Sequence, residues 1–98
     1  MAKTFHVKVR DTENLIYEGD VERISSYNEV GPFDIYPMHA NFISILRQEV
    51  ALHSKGQIVK ELKFEQAVMK VKADTVGIFL GVEVLFVDED VASKPRAN

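Results

Sequence analysis

Ninety-eight residues favour one domain, and a chain of this size buries roughly 60–70% of its unfolded surface, enough for one core without staples. Hydrophobic residues make up 46% and charged ones 28%, a globular composition. The absence of cysteine removes disulfide scaffolds, zinc–thiolate sites and thiol nucleophiles together. A net charge of −3, with basic residues spread thinly, leaves no patch to track phosphates, so no nucleic acid is expected as partner.

The start MAKTFHVKVR has no apolar stretch behind its basic residues and does not read as a secretory signal. In Phe5, Val7 and Val9 the apolar residues alternate with His6, Lys8 and Arg10, the pattern of a strand with one buried face. A polar turn over 11–14 leads to the run Leu15-Ile16-Tyr17, and Glu18-Gly19-Asp20 turns the chain again before a weaker strand over 21–26. Tyr27-Asn28-Glu29 loops out toward Gly31. The stretch GPFDIYPMHA, residues 31–40, reads as a stiff turn holding two prolines and His39. Strand-like runs follow over 42–46 and 49–53, then a hairpin turn at Ser54-Lys55-Gly56-Gln57. Four more runs cover 58–64, 67–72, 75–80 and 82–87. Short runs separated by turns predict an antiparallel all-β sandwich or barrel over 1–87. Phe5, Val7, Ile24, Phe33, Ile35, Leu52, Leu62, Val76 and Ile78 are its expected core. Asp88-Glu89-Asp90 and Pro95 mark 88–98 as a charged, disordered tail. No run approaches the roughly 20 apolar residues of a membrane helix, which predicts a soluble, cytoplasmic chain.

Residues for chemistry are sparse. His6, His39 and His53 lie on separate segments, without the convergence a zinc site requires, so no metal and no cofactor are expected. His6 and His53 fall at outward or strand-end positions and read as solvated. The serines lack a nucleophile-elbow pattern and the glycines form no phosphate loop, so the chain is not expected to be an enzyme. Phe33 and Phe42 read as core, and Tyr36 as either core or surface contact. Val82, Val84, Leu85 and Val87 make a strand apolar on both faces, which calls for cover by a partner, a second copy or the sandwich's own loops.

Gly31, Phe33, Ile35, Pro37, His39 and Ala40 together resemble the central motif of the epsilon subunit of F-type ATP synthases, called delta in mitochondria. Phe5-His6-Val7 and Tyr17-Glu18-Gly19 resemble that family's first strand and following turn, and the likeness extends over about residues 3–87. Asp34, Met38 and Asn41 depart from the family pattern, and Phe64-Glu65-Gln66-Ala67 stands where a Ser-Gly-Gly stretch is usual. The resemblance is to the N-terminal sandwich, without the helical hairpin, and fits a member of an alternate ATPase operon. It implies a ten-stranded antiparallel sandwich and a non-catalytic rotor subunit of the central stalk. Gamma and the membrane c-ring are its implied partners, with membrane association only through the complex. On that reading Gly31, Pro32, Tyr36, Pro37, Met38 and His39 face the c-ring, and the edge over 82–87 meets a partner or a second copy. The alternative is a free-standing sandwich that binds another protein or itself, without an ATPase.

Overall fold

A computed structural model describes residues 3–37 and 40–81. Seven strands follow in chain order: β1 (Phe5–Arg10), β2 (Leu15–Val21), β3 (Arg23–Tyr27), β4 (Pro32–Ile35), β5 (Ala40–Ser54), β6 (Gln57–Ala73) and β7 (Thr75–Leu80). They form one sheet in the order β2-β1-β7-β6-β5-β3-β4. The all-β class is as expected. The count among the described residues is seven and not ten, because 42–46 and 49–53 are one strand, as are 58–64 and 67–72. The sheet is also mixed, since β1 pairs with β7 in parallel. The strand run over 82–87 and the tail from 88 lie outside the described residues.

The long β5–β6 hairpin joins two halves of the sheet. β7 pairs with the 67–72 part of β6, and β3 pairs with the 47–53 part of β5. Between these zones the register slips: Arg47 faces Gln66 but Gln48 faces Phe64, so Glu65 is an extra residue. An extra residue shifts the pleat by one, and the inward face of β6 changes parity there. Leu62 and Phe64 point to the core before the bulge, and Ala67, Met69 and Val71 point to it afterwards. Gln48 sits in the left-handed region at φ 74, a conformation unusual for a residue with a side chain. At the other end the hairpin closes through Lys55 (φ 54) and Gly56 (φ 76), the two left-handed residues of a tight turn with the strands' own twist.

One apolar cluster unites both halves. Val7, Val9, Met69, Val71, Val76 and Ile78 meet Ile24, Val50 and Leu52, all at 2% exposure or less. Six of the nine expected core residues are fully buried; Phe33, Ile35 and Leu62 pack against the cluster while half-buried. Phe33 and Ile35 sit on β4, the last strand of the sheet, which has a neighbour on one side only. Among the described residues Ser26 is the buried polar one, and its hydroxyl donates to the Glu49 carbonyl at 2.5 Å beside the corner. The polar turn at Asp11 forms as expected: its carboxylate accepts the Glu13 and Asn14 N–H groups at 2.8 and 2.7 Å.

The outer face carries a histidine clamp. His6 is outward on β1, as expected, but it is ion-paired rather than simply solvated. Nδ1 lies 2.7 Å from Asp20 and Nε2 lies 2.7 Å from Glu18, both on β2. A carboxylate only accepts, so both ring nitrogens must carry protons. The bonds to Glu18 and then Asp20 raise the His6 pKa above its ordinary 6.5, and the bond from His6 lowers Glu18 below 4.5.

Two outcomes follow. Phe5 is 1% exposed, so Phe5→Ala should cost about 3–5 kcal/mol in denaturant unfolding, with Phe33→Ala clearly less because Phe33 is half-buried. The His6 contribution is complete below pH 6.5 and lost as pH rises through its raised pKa, while that of Glu18 is present above 4.5 and lost as pH falls. A pH series of unfolding midpoints should therefore show His6→Gln costing most between these values and less in alkali.

Candidate docking site

The stretch 31–40 is not one turn. Pro32–Ile35 forms β4, paired antiparallel with β3 from Tyr27↔Pro32 to Ile24↔Ile35. Four extended residues span roughly 10–13 Å, so Gly31 and Pro32 stand at one end of β4 and Tyr36 and Pro37 at the other. Pro32 suits an outermost strand, where a missing N–H leaves no ladder bond broken. Met38 and His39 lie outside the described residues, as do Val82, Val84, Leu85 and Val87.

At the Gly31 end a turn from Asn28 holds the chain. The Asn28 side-chain oxygen accepts the N–H groups of Val30 and Gly31 at 2.8 and 3.2 Å, and Asn28 N–H donates to the Gly31 carbonyl at 3.0 Å. Gly31 has φ 145, a conformation open almost only to glycine. This turn projects Val30, 96% exposed, over the outer side of β5. Val30, Asn28 and Glu29 line a groove with Ile43, Ser44 and Ile45. Ile43 is 60% exposed because Phe42 and Leu46 take the inward positions and alternation turns Ile43 out. Glu29 and Arg47 form a loose ion pair at 3.8 Å on its rim. Neither Val30 nor Ile43 was singled out in the sequence; the parity of β5 was the available signal.

At the other end Tyr36, 53% exposed, borders a second groove with Glu22, Arg23, His53 and Gly56. His53 corrects the solvated reading. Arg23 Nη2 lies 2.9 Å from its Nδ1 and 3.5 Å from its Nε2, against the face of the ring, and its Nε2 lies 3.1 Å from Ser25 Oγ. Ser25 in turn donates to Asp34 on β4 at 2.6 Å. Burial first, then the Arg23 charge, hold the His53 pKa below its ordinary value. A serine, a histidine and an aspartate thus meet, but the carboxylate holds the serine, and an arginine instead of a carboxylate lies against the imidazole. That order blocks proton abstraction from Ser25, so the trio is a structural relay and not a nucleophile. Among the described residues no three His, Asp or Glu side chains converge to hold a metal, and no helix is long and apolar enough to cross a membrane.

Proteins of known kind share this architecture. Residues 4–82 match the family "ATP synthase, Delta/Epsilon chain, beta-sandwich domain". The chain is 29% identical over 96 residues to the ATP synthase epsilon chain of Leptospira borgpetersenii serovar Hardjo-bovis (strain JB197), covering 98% of this chain and 76% of that one. The fold is similar to a chain in the central stalk/c-ring structure of Tetrahymena thermophila mitochondrial ATP synthase, with TM-score 0.65 at 10% identity, over 81% of this chain. It is also similar to one in the OSCP/F1/c-ring structure of Euglena gracilis mitochondrial ATP synthase, with TM-score 0.69 at 10% identity, over 90% of this chain. This chain spans 64% and 61% of those two chains' lengths. With the match running from β1 through β7, the chain belongs to the ATP synthase delta/epsilon family and carries its β-sandwich domain.

Proposed function

We propose that this chain is a non-catalytic rotor subunit of an F-type ATP synthase, which links gamma to the membrane c-ring and helps couple ion transport to ATP synthesis or hydrolysis. Family membership supports the subunit role. The observation that carries the docking part is the pair of exposed aliphatics, Val30 and Ile43, set on rigid backbone at one end of the sheet. Rigid, exposed apolar residues lose little freedom on contact and gain roughly 25 cal/mol per Å² buried. Gly31 and Pro32 fix the turn behind Val30, which assigns them to the ring side as positioning residues. Tyr36, Pro37, Met38 and His39 are proposed as further contacts, reached from the far end of β4. Gamma is assigned a separate surface, and the apolar run at 82–87 is proposed to meet a partner subunit or, in the isolated protein, a second copy. On this reading the chain reaches the inner (plasma) membrane from the cytoplasmic side, through the complex only.

Binding of the full chain to ATPase-bearing membranes stripped of this subunit tests the reading. Val30→Asp and Ile43→Asp each should weaken binding at least about tenfold, because a charge replaces a methyl-bearing group that docking would bury. Their unfolding midpoints should stay within about 0.5 kcal/mol of wild type, as is usual at exposed positions. Wild-type binding by both variants would defeat the docking assignment.

A further inference from the structure

β6 is paired on both sides over only part of its length. β5 follows it from Ser54↔Gln57 to Ala40↔Ala73, whereas β7 meets only the 67–72 part. Among the described residues nothing lies along the other edge of 57–66, which leaves a row of backbone N–H and C=O groups open there. Behind that edge Leu62 and Phe64 point to the core yet stay half-buried. Val50 and Leu52, on the covered side of the same stretch, are fully buried. A long open edge with apolar side chains behind it calls for cover.

The chain itself arrives at the head of this edge. Ala67 lies between Leu46 on β5 and Leu80 on β7, and both of those strands run antiparallel to β6. Just past Leu46, β5 turns the corner through left-handed Gln48 at φ 74; just past Leu80, Gly81 takes nearly the same conformation at φ 72. The two strands that flank β6 thus bend in the same way at the same corner. Beyond Gly81 the sequence reads Val82-Glu83-Val84-Leu85-Phe86-Val87, rich in residues that favour strands.

We propose that residues 82–86 of this chain dock as a further antiparallel strand on the open edge of β6, mirroring the path of β5 on its other side. Glu65 sets the register. On the β5 side Arg47 faces Gln66 and Gln48 faces Phe64, because Glu65 is extra. The same extra residue puts Gly81 opposite Gln66, Val82 opposite Phe64, Val84 opposite Leu62 and Phe86 opposite Lys60. Alternation then sends Val82, Val84 and Phe86 inward, over the half-buried Phe64 and Leu62. Outward, Glu83 falls beside Lys63, whose other flank is Glu49 at 3.6 Å, so the lysine stands between two carboxylates. A slip by one residue would set Glu83 against Phe64 and forfeit the pairing with Lys63, so charge and burial select one register. Tethered at Gly81, the run meets this edge at an effective concentration on the order of millimolar, an advantage that a second copy lacks. Leu85 and Val87 are left facing outward, where they meet the partner subunit. Only that last consequence rests on the function proposed above.

Disulfide trapping in the isolated full chain, which has no cysteine of its own, reads the register. Directly opposed residues hold their Cβ atoms about 4.5–5.5 Å apart, close enough to bridge with small adjustments, and diagonal neighbours do not. Lys63→Cys combined with Glu83→Cys should oxidise to an intramolecular bond at least about tenfold faster than Glu61→Cys combined with Glu83→Cys. Equal rates for the two pairs would overturn the proposal. So would a bond that forms only between molecules, which would give the edge to a second copy. Amide exchange on the unmodified chain is the second readout. The amides of 58–66 that point away from β5 should be protected, and Val84→Asp, which sets a charge against Leu62, should lower that protection about tenfold. The amides of 67–72, covered by β7, should stay as they are. Free exchange along the edge in wild type, or protection that survives Val84→Asp, would contradict the docked strand. Neither arm uses membranes or a partner, so loss of the c-ring reading leaves this result standing, and the reverse holds too.

Discussion

The structure depends on how one hairpin turns a corner. β5 and β6 run through both halves of the sheet, and the extra Glu65 with left-handed Gln48 lets them change partners midway. Without that slip, Leu62 and Phe64 would share a face with Gln66 and Val68, and Ala67, Met69 and Val71 would leave the core. The neighbouring strands inherit this geometry: β7 and β1 stack on one portion of the hairpin, β3 and β4 on the other. Ser26 sits where β3 departs and donates to Glu49, satisfying a carbonyl that the broken ladder leaves free.

The same corner sets which side chains face solvent. The cluster joining the two halves is entirely apolar, so charge acts from the outer faces. There the two described histidines carry opposite demands. His6 bridges two carboxylates and is stabilised when charged; burial and then the Arg23 charge beside it favour His53 neutral. His6 joins β1 to the terminal strand β2, while His53 on β5 meets Arg23 and Ser25 on β3. Proton activity therefore bears on these two contacts in opposite directions, while the described core between them has nothing to titrate.

Much of this was legible in the sequence where period two was clean. Phe5, Val7 and Val9 announced β1, the Asp11 and Lys55-Gly56 turns formed where composition put them, and GPFDIYPMHA carried a resemblance that the family match supports. The long strands were cut in two because Gln48 and Glu65 are polar and interrupt the apolar rhythm, which reads as a loop although the ladder continues through them. The 64–67 stretch, lacking the family's glycines, hid the corner further, since the left-handed residue lies on the opposite strand. β4 was missed because Gly31 and two prolines outweighed four residues of alternation. The parallel β1–β7 pair is a relation between strands some 65 residues apart in sequence, which local pattern does not encode. His53 looked exposed for the same reason: Arg23 and Ser25 reach it only once β3 lies alongside β5.

On the function proposed above, the ring-facing contact lies on the exposed aliphatics at the Val30–Ile43 end. The absence of native cysteine allows a single reporter thiol at a chosen position. The most direct measurement is site-specific cross-linking in the assembled enzyme, with Ile43→Cys as the probe and Val59→Cys, exposed near the hairpin tip, as the control. The account predicts that the thiol at position 43 joins the c-ring subunit and the one at 59 does not. Cross-links from position 59 alone, or from position 43 only to subunits other than the ring, would contradict it.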